Sequence, residues 1–392
     1  MQALQNRFYA FFGLSLRIIT VIFLVRLIRD TGARMIFPFI PQISAGLGLS
    51  IVTFSLFIFI QSMAGIAGPI FGVLSDRYGR RKIMIMGLLC QGVGAIGLAI
   101  TGKEWVALPM IFLGLGLAIF NPTQQAYISD QVSYQKRGRA LATVEFSWAL
   151  VAILVLPIVG WLIDTFGWRT PFLILGPLAL FGSLIIWFGL PRVEHHTQVG
   201  LSWTEVRAVC FRPNVLAIIA MAWLIYVALS SFLSLWGIWL NDDFGLKATA
   251  LGLVAMPIGI AELGGSLSSS LFIDRIGKKR GSGLGLFMAA LVFLLLPLTQ
   301  GQLSLAIAGL VGLGLLMEFT VVSLFPLYSE QAPKARGTIL SLMLVGSSIG
   351  LAIGPRLTAI LWEQFGLWAV CAVAAACLFD AFGIMWRFLH EG

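Results

Sequence analysis

The chain is predicted to be an all-α polytopic membrane protein, with twelve transmembrane helices in two pseudo-symmetric six-helix bundles. Three observations carry that prediction. First, 59% of the 392 residues are hydrophobic and only 11% are charged, with a mean hydropathy of +0.95. A soluble domain holds about 45–50% apolar and about 25% charged residues, so these few charges cannot cover a soluble surface. Second, apolar runs of about 20 residues, the length that crosses a ~30 Å hydrocarbon core, recur along the chain. Third, the sequence repeats its own landmarks roughly 200 residues later.

Read between polar or Gly/Pro breaks, the first half offers spans at 18–40, 50–73, 83–101, 105–128, 140–163 and 169–190. The first ends at Pro38-Phe39-Ile40-Pro41. GVLSDRYGRRK separates the second from the third, AYISDQVSYQKRGRA the fourth from the fifth, and Phe166-Gly167 the fifth from the sixth. The second half reads 214–240, 248–273, 282–299, 303–328, 338–361 and 367–388, with SLFIDRIGKKR and LYSEQAPKARGT at the matching breaks. The expected organisation is a bundle at 1–190, a linker at 191–213 and a bundle at 214–392. The first apolar run is too long for a removable signal peptide and more of the same follows it. Cys90, Cys210, Cys371 and Cys377 are scattered and show neither metal spacing nor a disulfide framework.

Basic residues set the orientation. Of the 26 Lys and Arg, 19 fall on the side of the termini and even-numbered loops, while the other side receives Lys103, Arg169 and Lys247. Short Lys/Arg-rich loops stay in the cytoplasm, so both termini and the linker, with His195 and His196, are expected there. If the source is bacterial, the membrane is the inner one. The net charge of +9 is therefore a topology signal facing the lipid bilayer, and no nucleic-acid partner is expected, because no basic domain gathers the charge.

The repeat aligns Asp76 with Asp274, Arg137-Gly138 with Arg336-Gly337, Pro157 with Pro355 and Phe166-Gly167 with Phe365-Gly366. Its G-x-x-x-D-R-x-G-R-R loop resembles the signature loop of the major facilitator superfamily, and the resemblance covers the whole chain. That resemblance implies alternating access, a small-molecule substrate, protons as the coupling ion, no cofactor or metal, no enzymatic activity and a monomer. It also implies a latch between the halves at Gly72, Asp76, Arg77, Gly79, Arg80 and Arg81, with a weaker copy at Asp274, Arg275 and Gly277, where Ser270 stands in for Gly72. Asp130, Arg137 and Glu145 are added to this gate. Asp76 is placed to cap the N-terminus of a neighbouring helix.

The first span raises a separate problem. Arg26, Arg29, Asp30 and Arg34 sit in the middle of it, at roughly 10–14 kcal/mol for the four on insertion scales. At 100° per residue they share an arc of about 140°, so one face must look into protein or water. Asp30 lies four residues from both Arg26 and Arg34 and can pair with either. Two readings stay open: structural ion pairs, or the lining of a central cavity. With no histidine in any span, Asp30, Glu262 and Glu318 are the proton-coupling candidates. Arg26, Arg29, Arg34, Gln61, Asn121, Gln124, Trp223, Tyr226 and Arg356 are the substrate-cavity candidates, while Trp236 and Trp239 suit an interfacial belt.

Pro38-Phe39-Ile40-Pro41 resembles the outer end of helix 1 in the drug:proton antiporter branch, whose helix 5 motif survives here only as LPIVGW. The resemblance implies a proton-coupled exporter of small amphipathic compounds. The alternative is a carrier of organic anions that uses the arginines of spans 1 and 11.

Overall fold

A computed structural model describes residues 13–191, 212–331 and 336–391, without the side chains of Pro69 and of residues 134–135, 137–139, 141–142, 336–338 and 341. Most of the 191–213 linker, with His195, His196 and Cys210, lies outside the described residues, as does the side chain of Arg137.

Among the described residues there is no strand, and twelve helical passes follow one another. α1 (Leu16–Arg34) starts at Ser15, whose hydroxyl accepts from the Ile18 N–H, and it continues beyond Pro38 as Ile40–Leu47. α2 (51–78) is capped by Ser50, which accepts from the Thr53 N–H at 3.1 Å, and it tightens at Ala64–Ala67 ahead of Pro69. α3 (Arg80–Ile100), α4 (Ala107–Gln131), α5 (134–166) and α6 (Thr170–Gly189) complete the first half. α5 widens into a π-turn at Val151–Val155, just before Pro157 removes a backbone donor. α7 (Pro213–Phe244), α8 (Ala248–Ile276), α9 (Lys278–Thr299) and α10 (Leu303–Glu330) follow. Gly366, at φ +73°, then divides α11 (336–365) from α12 (367–388).

The spans read from sequence overlap these helices, the first crossing the break at Met35–Phe39, and they commonly stop a turn short at the end that holds the basic loops. Helical backbone runs on past the apolar stretch there, because basic side chains tolerate helix well. The duplication is visible in the backbone as well. Gly48 and Gly245 (φ +68° and +65°), Gly79 and Gly277 (+96° and +93°), and Gly167 and Gly366 (+90° and +73°) occupy matching turns.

The halves meet through α5 against α8 and α2 against α11. Their closest approaches lie away from the basic end. A Cβ on Gly160 would stand 2.2 Å from the Ala248 carbonyl, and one on Gly237 would stand 2.3 Å from that of Pro38. At the basic end, Gly72 faces open space. A small apolar cluster there, including Leu14, Ile22, Met84, Phe120 and Ile186, holds first-half helices to one another without any second-half residue.

Gly160→Ala should therefore destabilise the protein despite alanine's better helix propensity, because overpacking costs roughly 1–3 kcal/mol. Gly383→Ala, where nothing lies within 4 Å, should be neutral or stabilising. Thermal midpoints in detergent check both, and equal shifts would contradict the α5–α8 seam.

Candidate functional site

The charged face of α1 is buried: Arg26, Arg29, Asp30 and Arg34 are each no more than 6% exposed. Asp30 is the hub. It accepts from Arg26 Nε, one turn earlier, at 3.3 Å, and from the adjacent Arg29 and the Ser147 hydroxyl of α5. Arg26 reaches on to Glu145 of α5 and donates to Gln124 Oε1 of α4 at 3.4 Å. Gln91 of α3 ties down the α1 backbone, donating to the carbonyls of Ile28 and Arg29 at 3.2 and 3.3 Å. Hydrogen-bonded ion pairs of this kind offset the desolvation that an isolated charge would suffer.

Arg34 turns toward the other half. Its two terminal nitrogens each donate to Glu262 of α8 at 2.7 Å, a bidentate geometry, and Nη1 also donates to the Trp148 carbonyl at 3.0 Å. The guanidinium carbon stands 4.8 Å from the Trp148 ring centroid. Sequence spacing allowed Asp30 either arginine, and it takes Arg26 because Arg34 has a carboxylate of its own across the interface. Glu318 of α10 is half-buried, without a hydrogen bond or ion pair among the described residues. It lies within electrostatic range of Glu262, Arg34 and Glu145.

The cavity candidates divide. Asn121 Oδ1, Gln124 Nε2, Gln91 Oε1 and Arg29 Nε are buried around the cluster with no hydrogen-bond partner among the described residues. Buried polar atoms in this condition call for water or a ligand. Tyr226 lies within electrostatic range of Glu318 and Glu145, and Trp223 is 39% exposed on the same helix. Gln61 is buried where α2 packs on Gly114 of α4. Arg356 stands apart from the cluster, donating to the Val52 carbonyl and to Ser55 Oγ (3.4 Å) of α2. The belt expectation fails. Trp236 and Trp239 are 3% and 0% exposed, and the Trp239 indole donates to Asp243 at 2.9 Å, because α7 is enclosed along this stretch.

The latch residues are engaged within their own half. Arg80 pairs with Asp76 one turn earlier, with Asp130 (3.1 Å) and with the Ser75 hydroxyl. Arg77 lies over the Tyr78 ring and Arg81 over Trp187. In the second copy Asp274 and Arg275 are exposed, Gly277 repeats the backbone of Gly79, and Lys278–Glu330 takes the place of Arg80–Asp130. Glu145, grouped with the gate, reaches Arg26 rather than the latch.

Among the described residues Asp76 accepts from no helix N-terminus, neighbouring or across the interface, and pairs with Arg80 instead. A carboxylate cap between the halves forms at the opposite end, through an acid that sequence reasoning passed over. Asp164, near the end of α5, accepts from the N–H groups of Ala248 (3.2 Å) and Thr249 (2.7 Å), the start of α8. Its signal was modest: a lone acid just before Phe166-Gly167. With Arg34–Glu262 and Arg356–α2, it completes the hydrogen bonds joining the halves among the described residues.

The Major Facilitator Superfamily profile matches residues 22–355 and 238–391. An uncharacterised MFS-type transporter of Bacillus subtilis (strain 168), YwfA, is 26% identical over 87% of this chain and 84% of its own length. The multi-drug resistance efflux pump PmrA homolog of Lactococcus lactis subsp. lactis (strain IL1403) is 25% identical over 91% and 90%. Among solved structures, a D-xylose–proton symporter aligns with a TM-score of 0.78 at 16% identity, covering 96% of this chain and 98% of that one. The fold, the duplicated loop and the profile agree: this chain is an integral membrane transporter, not an enzyme, and belongs to the Major Facilitator Superfamily.

Proposed function

We propose that this transporter is a proton-coupled exporter of small amphipathic organic compounds. It works as a monomer by alternating access between bundles 1–190 and 214–392, in a bacterial inner membrane with both termini in the cytoplasm. The observation that carries this reading is the charge balance of the cluster. Arg26, Arg29 and Arg34 face Asp30, Glu145, Glu262 and Glu318, and each arginine already holds a carboxylate. The remaining acid, Glu318, suits a proton or a basic amphipathic compound. A carrier of organic anions would need free arginines, and Arg356 is engaged by α2. Relatives named as multidrug efflux pumps support export.

The mechanism follows from which contacts cross between the halves. On this reading the structure is a cytoplasm-open form, and Arg34–Glu262, Arg356–α2 and Asp164 on the α8 N-terminus are the contacts that hold its outer end. A proton on Glu262 removes the charge that fixes Arg34 and frees the halves to part on the outside. Asp30 keeps Arg26 and Arg29 neutralised while α1 moves, and the latch at Asp76–Arg81 closes the cytoplasmic end.

Three outcomes test this. Lipophilic cations should raise the thermal midpoint, a ligand at a hundred times its dissociation constant contributing about 2.7 kcal/mol. Glu318→Gln should abolish that gain, whereas hits confined to organic anions would replace the exporter with the anion carrier. Asp30→Asn should reach the membrane folded and lose coupled transport in proteoliposomes; normal transport would make Asp30 structural. Asp164→Ala, losing a cap contact of ~1 kcal/mol, should raise outer-side cysteine accessibility about fivefold, and Asp76→Asn should not.

A further inference from the structure

The N-terminus of α3 and that of α9 are repeat copies, and they differ in one respect. In the second half Lys279 lies over the Trp386 ring at 5.1 Å and donates to the Leu389 carbonyl at 2.7 Å. In the first, Arg81 lies over Trp187 at 4.8 Å and donates to the Leu190 carbonyl at 3.0 Å. Lys278–Glu330 corresponds to Arg80–Asp130. The second copy then adds an anion: the Glu391 carboxylate accepts from the Lys278 N–H at 2.5 Å and the Lys279 N–H at 3.3 Å. Glu391 stands two residues after Leu389, and the residue two after Leu190 is Arg192. The first copy keeps the basic frame and offers no acid at that position.

In its place the first copy has an open cavity of ≈ 220 Å³, lined by Tyr78, Gly79, Arg80, Arg81, Lys82 and Trp187 among others. Among the described residues no side chain accepts from the α3 N-terminus, whose N-cap is Gly79. Arg81 has no carboxylate partner, and Lys82 no hydrogen bond or ion pair, among the described residues. Two uncompensated cations and an uncapped helix N-terminus converge there, a combination that favours an anion. The rim is amphipathic, with Trp187 44%, Tyr78 53% and Phe188 74% exposed. An aromatic and basic rim at a helix end is the setting of a membrane–water interface.

We propose that this cavity binds the phosphate of an anionic membrane lipid, the headgroup occupying the position that Glu391 fills in the second half. The phosphate would accept from the α3 N-terminus and from Arg81 and Lys82, with the acyl chains leaving past Trp187 and Phe188. Basic pockets between helices at the cytoplasmic face take anionic headgroups in this way. The assignment stands apart from the transported compound, because the cavity lies at the periphery of the first half and shares no residue with the Asp30 cluster.

The test is native mass spectrometry of the full chain released from phosphatidylcholine nanodiscs with and without phosphatidylglycerol. Wild type should retain one phosphatidylglycerol. Arg81→Gln/Lys82→Gln should weaken retention roughly 10–30-fold, on the order expected for two interfacial basic residues. Arg280→Gln, the repeat counterpart of Lys82, should leave retention unchanged. Glu391→Ala vacates the second copy and should add a second retained lipid, which keeps the test decisive if the double variant misfolds. Equal loss in the double variant and in Arg280→Gln would reduce the effect to general surface charge and overturn the site. Inorganic phosphate is titrated in parallel. Protection by phosphate without phosphatidylglycerol retention would assign the cavity to the free ion and overturn the lipid.

Discussion

Asp30 accepts from Arg26, Arg29 and Ser147 at the depth where α1 would otherwise meet hydrocarbon, and the packing of the first half is arranged around that arrangement. From α1 the network then reaches other elements: Arg26 leads on to α4 and α5, Gln91 brings α3 against the α1 backbone, and Arg34 leaves the bundle for α8. A charge stripped of water costs several kcal/mol unless paired and hydrogen-bonded. The cluster therefore fixes the rotation of α1 more tightly than apolar contact alone would. Lipid-facing residues of this helix are free to vary in a way that these four are not.

The same economy of pairing separates the two ends of the molecule. Toward the end away from the basic loops, contacts between halves are specific and polar: a bidentate guanidinium–carboxylate pair, an arginine on a backbone carbonyl, and a carboxylate on a helix N-terminus. At the basic end the charged residues satisfy one another within a half, as Arg80 does with Asp76 and Asp130. Charges whose partners lie in their own bundle leave the interface free to open. Charges whose partners lie across it must be released before it can move.

Much of this was legible in the sequence. Length and hydropathy give the helices, because membrane crossing fixes their scale, and the roughly 200-residue offset gives the duplication. The i, i+4 spacing gives Asp30 an arginine partner, Arg26 or Arg34, and the fold selects Arg26. What the sequence left ambiguous were choices decided by tertiary position. Spacing could not tell that Arg34 would prefer Glu262, since the partner lies 228 residues away. Composition grouped Arg356 with the α1 arginines, yet its position along α11 puts it against α2. Tryptophans near a helix end read as a belt, and burial of α7 places them inside. Asp164 was passed over because a lone acid at a loop is ordinary, and only the fold brings the α8 N-terminus to it.

The repeat copies have diverged along a consistent line. All three cluster arginines stand on α1, while α8 and α10 contribute lone acids, Glu262 and Glu318, that have no counterpart among the first-half spans. The first half neutralises Arg26 and Arg29 with its own Asp30 and Glu145, and of the three cluster arginines only Arg34 finds its carboxylate, Glu262, across the interface. On the proton-coupled mechanism proposed above, a proton on Glu262 would weaken the ion pair that joins α1 to α8, so the occupancy of that single acid would set how strongly the two halves attract each other.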